Sequence, residues 1–159
     1  TPAGALRGGK YSAFDAGTRV PFIVRWPGQV KAGVSNALVS QVDLLASFAA
    51  LTGQKFDATT APDTKDYLSA FLGKDKKGRD YLIEHAGTFS IIKGDWKYIE
   101  PSKGQKMSVQ TNTELGNDPQ PQLYNLAKDI GEKNNLAEAN PEKLKELQVE
   151  LQEVKEKKR

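Results

Sequence analysis

The sequence predicts an α/β chain in two parts. The first is a strand buried on both faces, as in a parallel or mixed sheet, with a helix beside it; the second is a small antiparallel sheet packed on a C-terminal helix. Three observations predict this. A nearly continuous apolar run, Val20-Pro21-Phe22-Ile23-Val24-Arg25-Trp26, is closed by Pro27-Gly28. Two strand-like runs, Phe89-Ser90-Ile91-Ile92-Lys93 and Trp96-Lys97-Tyr98-Ile99-Glu100, flank Gly94-Asp95. Leu144, Leu147, Leu151 and Val154 recur at spacings of 3, 4 and 3 near the C-terminus.

Residues 1–19 are rich in Gly and Ala and read as a loop. The run at 20–26 has the nearly continuous apolar pattern of a strand buried on both faces, with Pro21 near its start because proline cannot donate a ladder hydrogen bond. A helix is expected from Ser40 to Gly53. Ser40 and Asp43 have capping-box spacing, Leu44, Leu45, Phe48 and Leu51 share a face, and Gly53 suits the left-handed residue after a helix end.

Residues 54–80 are polar, with one short apolar cluster at Tyr67, Leu68, Phe71 and Leu72 that suggests a brief helix. Tyr81–Ala86 is a further strand candidate. The pair around Gly94-Asp95 reads as a hairpin, because Gly first in a two-residue loop is the type II′ signal. Residues 101–121 are expected to be a mobile loop, and Gln122–Leu126 a short strand. Asn140 is the expected N-cap of the last helix, with Pro141 at its first position, where a missing N–H costs nothing. The Leu seam fits a helix packed on the small sheet better than a coiled coil, since it runs for under three heptads. Trp26 and Trp96 lie in apolar strand patterns and are expected in the core. Lys93 and Lys97 read as solvated hairpin charges.

The 159 residues are 38% hydrophobic and 27% charged, too balanced for a disordered chain and enough for a core of ordinary domain size. No run of 18 apolar residues offers a membrane span. There is no Cys, which removes a disulfide scaffold, a zinc-thiolate site and a thiol nucleophile from this chain, and His85 is the only His. The net charge is +3, and all of it lies in residues 1–60, with six basic and three acidic groups. That excess suits a local anion site. A nucleic-acid surface would show a denser basic stripe with interleaved aromatics.

Four blocks in register resemble the sulfatases of the alkaline phosphatase superfamily. They are Leu6-Arg7-Gly8-Gly9-Lys10-Tyr11-Ser12-Ala13-Phe14-Asp15-Ala16-Gly17-Thr18-Arg19-Val20-Pro21; Val39-Ser40-Gln41-Val42-Asp43-Leu44-Leu45 through Gly53; Ile91-Ile92-Lys93-Gly94-Asp95-Trp96-Lys97-Tyr98-Ile99; and Gln122-Leu123-Tyr124-Asn125-Leu126 through Asp129-Ile130-Gly131-Glu132-Lys133-Asn134-Asn135-Leu136. The resemblance is to the C-terminal portion of the family fold. It implies that residues 1–53 are the last part of the large α/β domain and 54–80 a connecting segment. Residues 81–159 would be a C-terminal subdomain whose helix covers 141–157.

The resemblance also implies site residues. Lys10 would contact the sulfate group. A sulfate ester spreads negative charge over its oxygens, and a Lys ammonium is a compact donor of three hydrogen bonds that stabilises charge building in the transition state. Asp15 and Arg19 would brace the loop that presents Lys10; here Asp15 and Ala16 stand where the family more often has Glu-Gly. His85 would touch the sugar or aryl part of a substrate, with a packed or surface strand His as the competing reading. Asp129, Gly131, Glu132 and Asn135 match a terminal turn whose side chains bond local amides; their spacing fits no EF-hand.

On this resemblance the whole enzyme hydrolyses a sulfated carbohydrate or aryl sulfate ester. It uses a formylglycine nucleophile and calcium, with neither the nucleophile nor the calcium ligands in this chain. The chain would then be an inactive fragment that partners the preceding portion of the same protein, in a periplasmic or secreted bacterial enzyme. Neither nucleic acid nor membrane is an expected partner. Homo-oligomers through exposed sheet or apolar surface are a further expectation. Two other readings stay open: a phosphodiesterase or phosphonate hydrolase of the same superfamily, for which Lys10 would serve equally, and a stand-alone interaction module.

Overall fold

A computed structural model describes residues 3–157. Its described residues divide into two compact units, one of residues 3–21 with 83–157 and the other of residues 22–82.

The first unit is built on an antiparallel sheet. Its strands are β1 (Tyr81–His85, which begins just before the unit boundary), β2 (Phe89–Lys93), β3 (Trp96–Ile99) and β6 (Gln122–Asn125), in the order β1-β2-β3-β6. The expected hairpin is present: Lys93 pairs with Trp96, and Gly94 has φ +56° while Asp95 stays negative, the sign pattern of a type II′ turn. Residues 101–121 are not simply a loop. They hold a small ribbon of β4 (Met107–Ser108) and β5 (Thr113–Glu114).

Cross-strand register sorts the sheet into two faces, because directly opposed residues point the same way. Ser90 faces Ile99 and Gln122, and Ile92 faces Lys97 and Tyr124. Ile91, Tyr98 and Leu123 fall on the opposite face. That second face receives α4 (Pro141–Glu156), which packs on β2 and β3 with Leu147 and Leu151 fully buried. Lys93 anchors the helix through Glu150 at 2.6 Å. The 3-4-3 seam is therefore an intramolecular core stripe. Asn140 does occupy the N-cap position, but its side chain gives no cap hydrogen bond and instead donates back to the Leu136 carbonyl.

The first face receives α1 (Asp15–Thr18) and the residues leading into it. Ala13 and Phe14 join Ile99 and Tyr124 in one buried cluster, with the Phe14 and Tyr124 rings edge to face at 6.1 Å. The centre of the sheet is thus covered on both sides, and β3 carries three consecutive buried residues, Lys97, Tyr98 and Ile99. Lys97, expected to be a solvated hairpin charge, has no exposed surface at all.

The second unit holds a 3₁₀ turn (Gln41–Asp43), α2 (Leu44–Thr52) and α3 (Leu68–Phe71). The helix expected after Ser40 forms, and Gly53 ends it with φ +67°. Asp43 does more than close the cap. Buried, it accepts from the amides of Ser40 and Lys65, and Arg79 grips both its oxygens at 2.7 and 2.5 Å. The face of α2 that is buried carries the small residues Ala46 and Ser47, and Ser47 accepts from the Tyr67 amide.

Two expectations fail in this region. The apolar stripe of α2 points outward: Leu45, Phe48 and Leu51 are exposed, Phe48 by 55%. Residues 20–26 form no strand, and Ile23 is 89% exposed and Trp26 41%. A strand needs a neighbour to receive its ladder bonds, and no described segment pairs with this one. Phe22 instead rests against Phe71, with ring centroids 5.2 Å apart.

Candidate functional site

The Gly-rich segment before α1 is a closed loop with Lys10 at its tip. The Ala16 amide donates to the Arg7 carbonyl at 3.0 Å and ties the neck. Inside, the Ser12 amide donates to the Gly9 carbonyl and Ser12 Oγ accepts from the Phe14 amide. Gly17 has to be glycine. A Cβ there would lie 2.1 Å from the Ser12 carbonyl oxygen and 2.6 Å from that of Gly9. Tyr11, beside Lys10, has φ +76°, a conformation that bulky side chains seldom adopt, and the ordered loop around it holds that geometry.

Each side of the neck is fastened to the sheet unit. Arg7 forms a fork on Glu114, at 2.8 and 3.0 Å, donates to the Glu132 carbonyl at 2.6 Å, and lies 4.0 Å over the Phe14 ring. The hydrogen bond to Glu114 raises the Arg7 pKa further and holds the Glu114 carboxyl below its ordinary range. The Asp15 amide donates to Glu132 Oε2 at 2.7 Å, and Asp15 Oδ1 accepts from Lys97 Nζ at 2.7 Å.

Lys97 is the centre of a sealed charge cluster. Its ammonium has Asp15 at 2.7 Å, Glu132 at 3.2 Å and Glu84 at 3.7 Å. Burial pulls this ammonium's pKa down, but Glu132, Asp15 and Glu84 outweigh burial and leave it above the ordinary lysine value. Burial pushes Glu132 up to about 7 against the pull of Lys97, and it raises Glu84 as well. Glu132 reaches the cluster from the turn after β6 with φ +48°, and its Oε1 lies 3.2 Å from Lys97 Nζ without an aligned hydrogen bond. The rest of that turn does bond locally as expected: Asp129 Oδ2 accepts from the Lys133 and Asn134 amides, and Asn135 Oδ1 from Leu123 and Ala137.

The residues singled out from sequence are placed as follows. Lys10 is exposed, its Nζ lies 4.9 Å from the Tyr11 ring centre, and no carboxylate pairs with it among the described residues. Asp15 is buried, with Arg19 reaching its Oδ2 at 3.7 Å from a mostly exposed position. His85 ends β1, exposed and tilted against Phe89 at 4.5 Å; no hydrogen bond, ion pair or ring contact joins it to Lys10 among the described residues. Sequence reading missed Lys97, Glu132 and Glu84. Strand alternation carried a signal, since Lys97 stands two residues from core-facing Ile99 and so shares its face.

Known proteins extend this geometry. The Sulfatase family model matches residues 2–54, a stretch that includes the Lys10 loop and Arg19. The chain is 50% identical over 157 residues to the N-acetylgalactosamine-6-O-sulfatase of Bacteroides thetaiotaomicron, covering 98% of this chain and 31% of that protein. The chain belongs to the sulfatase family. It is also 34% identical to human arylsulfatase A, over 91% of this chain and 32% of that one. A solved protein from work on glycosaminoglycan metabolism by Bacteroides thetaiotaomicron superposes with a TM-score of 0.93 at 50% identity, over 98% of this chain and 33% of that one. Ps i-CgsB, solved with k-i-k-neocarrahexaose, superposes at 0.72 and 27% identity, over 94% of this chain and 31% of that one. The fold is that of a C-terminal segment of a sulfatase, and the chain spans about a third of the length of the relatives it matches.

The family implies calcium, and the carboxylates here do not fit it. Among the described residues no group of three or more Asp, Glu, His or Cys could hold a metal ion. The buried acidic cluster already has the Lys97 ammonium at its centre.

Proposed function

We propose that this sulfatase segment supplies Lys10 as a sulfate-contacting residue to an enzyme that hydrolyses sulfate esters. One observation carries the reading: Lys10 is an exposed cation, without a carboxylate partner among the described residues, on a loop clamped at both sides of its neck, within the stretch that the Sulfatase family model matches. A cation held this way donates to sulfate oxygens without first leaving a carboxylate, and it meets charge growing on those oxygens with little reorganisation. The named activities of the relatives support a sulfated carbohydrate or aryl sulfate as the substrate class.

The reaction itself needs groups from outside this chain. It has no Cys, and formylglycine and calcium belong, on the family resemblance, to the rest of the enzyme. The outward stripe of Leu45, Phe48 and Leu51 and the unpaired run at 20–26 are the surfaces that the rest of such an enzyme would cover. His85 serves as a contact to the organic part of the substrate. A bacterial origin is supported by the Bacteroides thetaiotaomicron relative, and a periplasmic or secreted location rests on the family resemblance.

A binding and turnover experiment tests this. The chain is mixed with an aryl sulfate and with the matching aryl phosphate, with and without calcium. Binding that prefers the sulfate and depends on Lys10, without turnover, is the expected result. Turnover above background would overturn the inactivity of the isolated chain, and a preference for the phosphate would favour the phosphodiesterase reading.

A further inference from the structure

We propose that Lys97, Glu84 and Glu132 are positioning residues for Lys10, and that the proton content of their buried cluster with Asp15 sets how firmly the Lys10 loop is held. Only the value of a well-placed Lys10 to a substrate rests on the function proposed above; the hold on the loop stands on its own geometry.

The geometry is a chain of direct contacts. Lys10 sits on a loop whose neck is tied by Ala16 and Arg7. One side of that neck, Asp15, is fixed by its amide to Glu132 Oε2 at 2.7 Å and by its carboxylate to Lys97 at 2.7 Å. Lys97 and Glu132 are each fully buried, one on the central strand β3 and one on the turn after β6. With Glu84 on β1, the cluster therefore joins four separate parts of the chain at the base of the loop.

Its charge does not balance. Three carboxylates surround one ammonium, so full ionisation leaves a net charge of two negatives in a sealed site. Among the described residues Glu132 faces Lys97 from β3, Asp15 from α1, Tyr124 from β6 and, through its carbonyl, Arg7, while Glu84 from β1 reaches the same Lys97 ammonium. Among the described residues Arg19 pairs with Asp15, from the surface. A buried excess of charge is relieved either by taking a proton or by opening to water. Glu132, whose Oε1 lies 3.2 Å from the Lys97 ammonium without an aligned hydrogen bond, is the carboxylate placed to take that proton. The Glu132 pKa, raised to about 7, and the raised Glu84 agree with this. Protonation holds the cluster closed, and its loss favours opening, which frees the Asp15 amide and with it the neck of the loop.

Amide exchange by NMR on the full chain, corrected for intrinsic rates, is the test, with Glu132→Gln beside the parent protein. Protection of the Asp15 amide is expected to fall about tenfold between about pH 5 and about pH 8 in the parent and to stay flat in Glu132→Gln. Ladder amides of β2 and β3, which exchange by unfolding of the whole unit, should stay more strongly protected than the Asp15 amide at every pH. A flat parent profile, an equal fall in the variant, or an Asp15 protection equal to that of the ladder would overturn the proposal. The last result would make the cluster a guard of the whole unit and not of the loop. The Lys10 side-chain signals, followed with inorganic sulfate in the same samples, separate the two readings. A parent that ignores sulfate at every pH removes the role of Lys10, while the amides still decide the positioning claim.

Discussion

Asp15 and Lys97, 82 residues apart in sequence, meet at 2.7 Å in the interior of the first unit. This contact joins the loop that carries Lys10 to the central strand of the sheet. It also makes a buried cation the keystone of three buried or nearly buried carboxylates.

Lys97→Met should therefore be costly despite its good shape match. It leaves uncompensated carboxylates in a sealed site, and breaking such a set by removing one partner destabilises by about 3–5 kcal/mol. Urea denaturation of the first unit, followed by tyrosine and tryptophan fluorescence, measures it. A loss below about 1 kcal/mol would show the cluster to be open to water.

The same cluster gives the unit a pH dependence of defined sign. Glu132 binds its proton more tightly in the folded state, with a pKa of about 7 against the ordinary 4.5. The folded state thus holds an extra proton between those values, so stability falls as pH rises through that window and levels off above it. Glu84 is raised as well and adds in the same direction. The drop is on the order of 2–3 kcal/mol in the parent and much smaller in Glu132→Gln. Urea midpoints across the window check the sign; a rise in stability from acid to neutral would contradict it.

Strand and hairpin periodicity, the Gly94-Asp95 turn and the 141–156 helix were legible in the sequence because each rests on local pattern. The Lys10 block was legible by resemblance. The charge cluster was not, because nothing local links Asp15, Glu84, Lys97 and Glu132; only the register of β3 against β6 puts Lys97 on the face that α1 covers. The 20–26 run and the α2 stripe misled for the reverse reason. Their apolar pattern reports a buried surface, yet no described residue pairs with the run, and α2 buries its small-residue face instead.

Gly17→Ala tests the loop packing. The added Cβ would meet the Ser12 and Gly9 carbonyls at 2.1 and 2.6 Å. Overpacking of this kind costs about 1–3 kcal/mol, and here it should also displace the loop. Thermal melting together with the Tyr11 and Ser12 amide shifts would show both effects. Unchanged shifts would mean that the loop has room for the added methyl group and that this packing account is wrong.

The outward apolar face of α2 predicts self-association of the isolated chain. Phe48, 55% exposed, lies at its centre. Sedimentation should show mass rising with concentration in the parent protein, and Phe48→Glu should lower it at little cost to the fold. A parent that stays monomeric at high concentration would sink this expectation.

The most direct test of the account concerns Lys10. Inorganic sulfate is titrated into the chain while the side-chain εCH₂ and ammonium signals of every lysine are followed by NMR, in the parent and in Lys10→Gln. The account predicts saturable shifts at Lys10 and its loop neighbours, absent in Lys10→Gln although that variant melts like the parent. Shifts spread evenly over the other exposed lysines, or unchanged by Lys10→Gln, would contradict it.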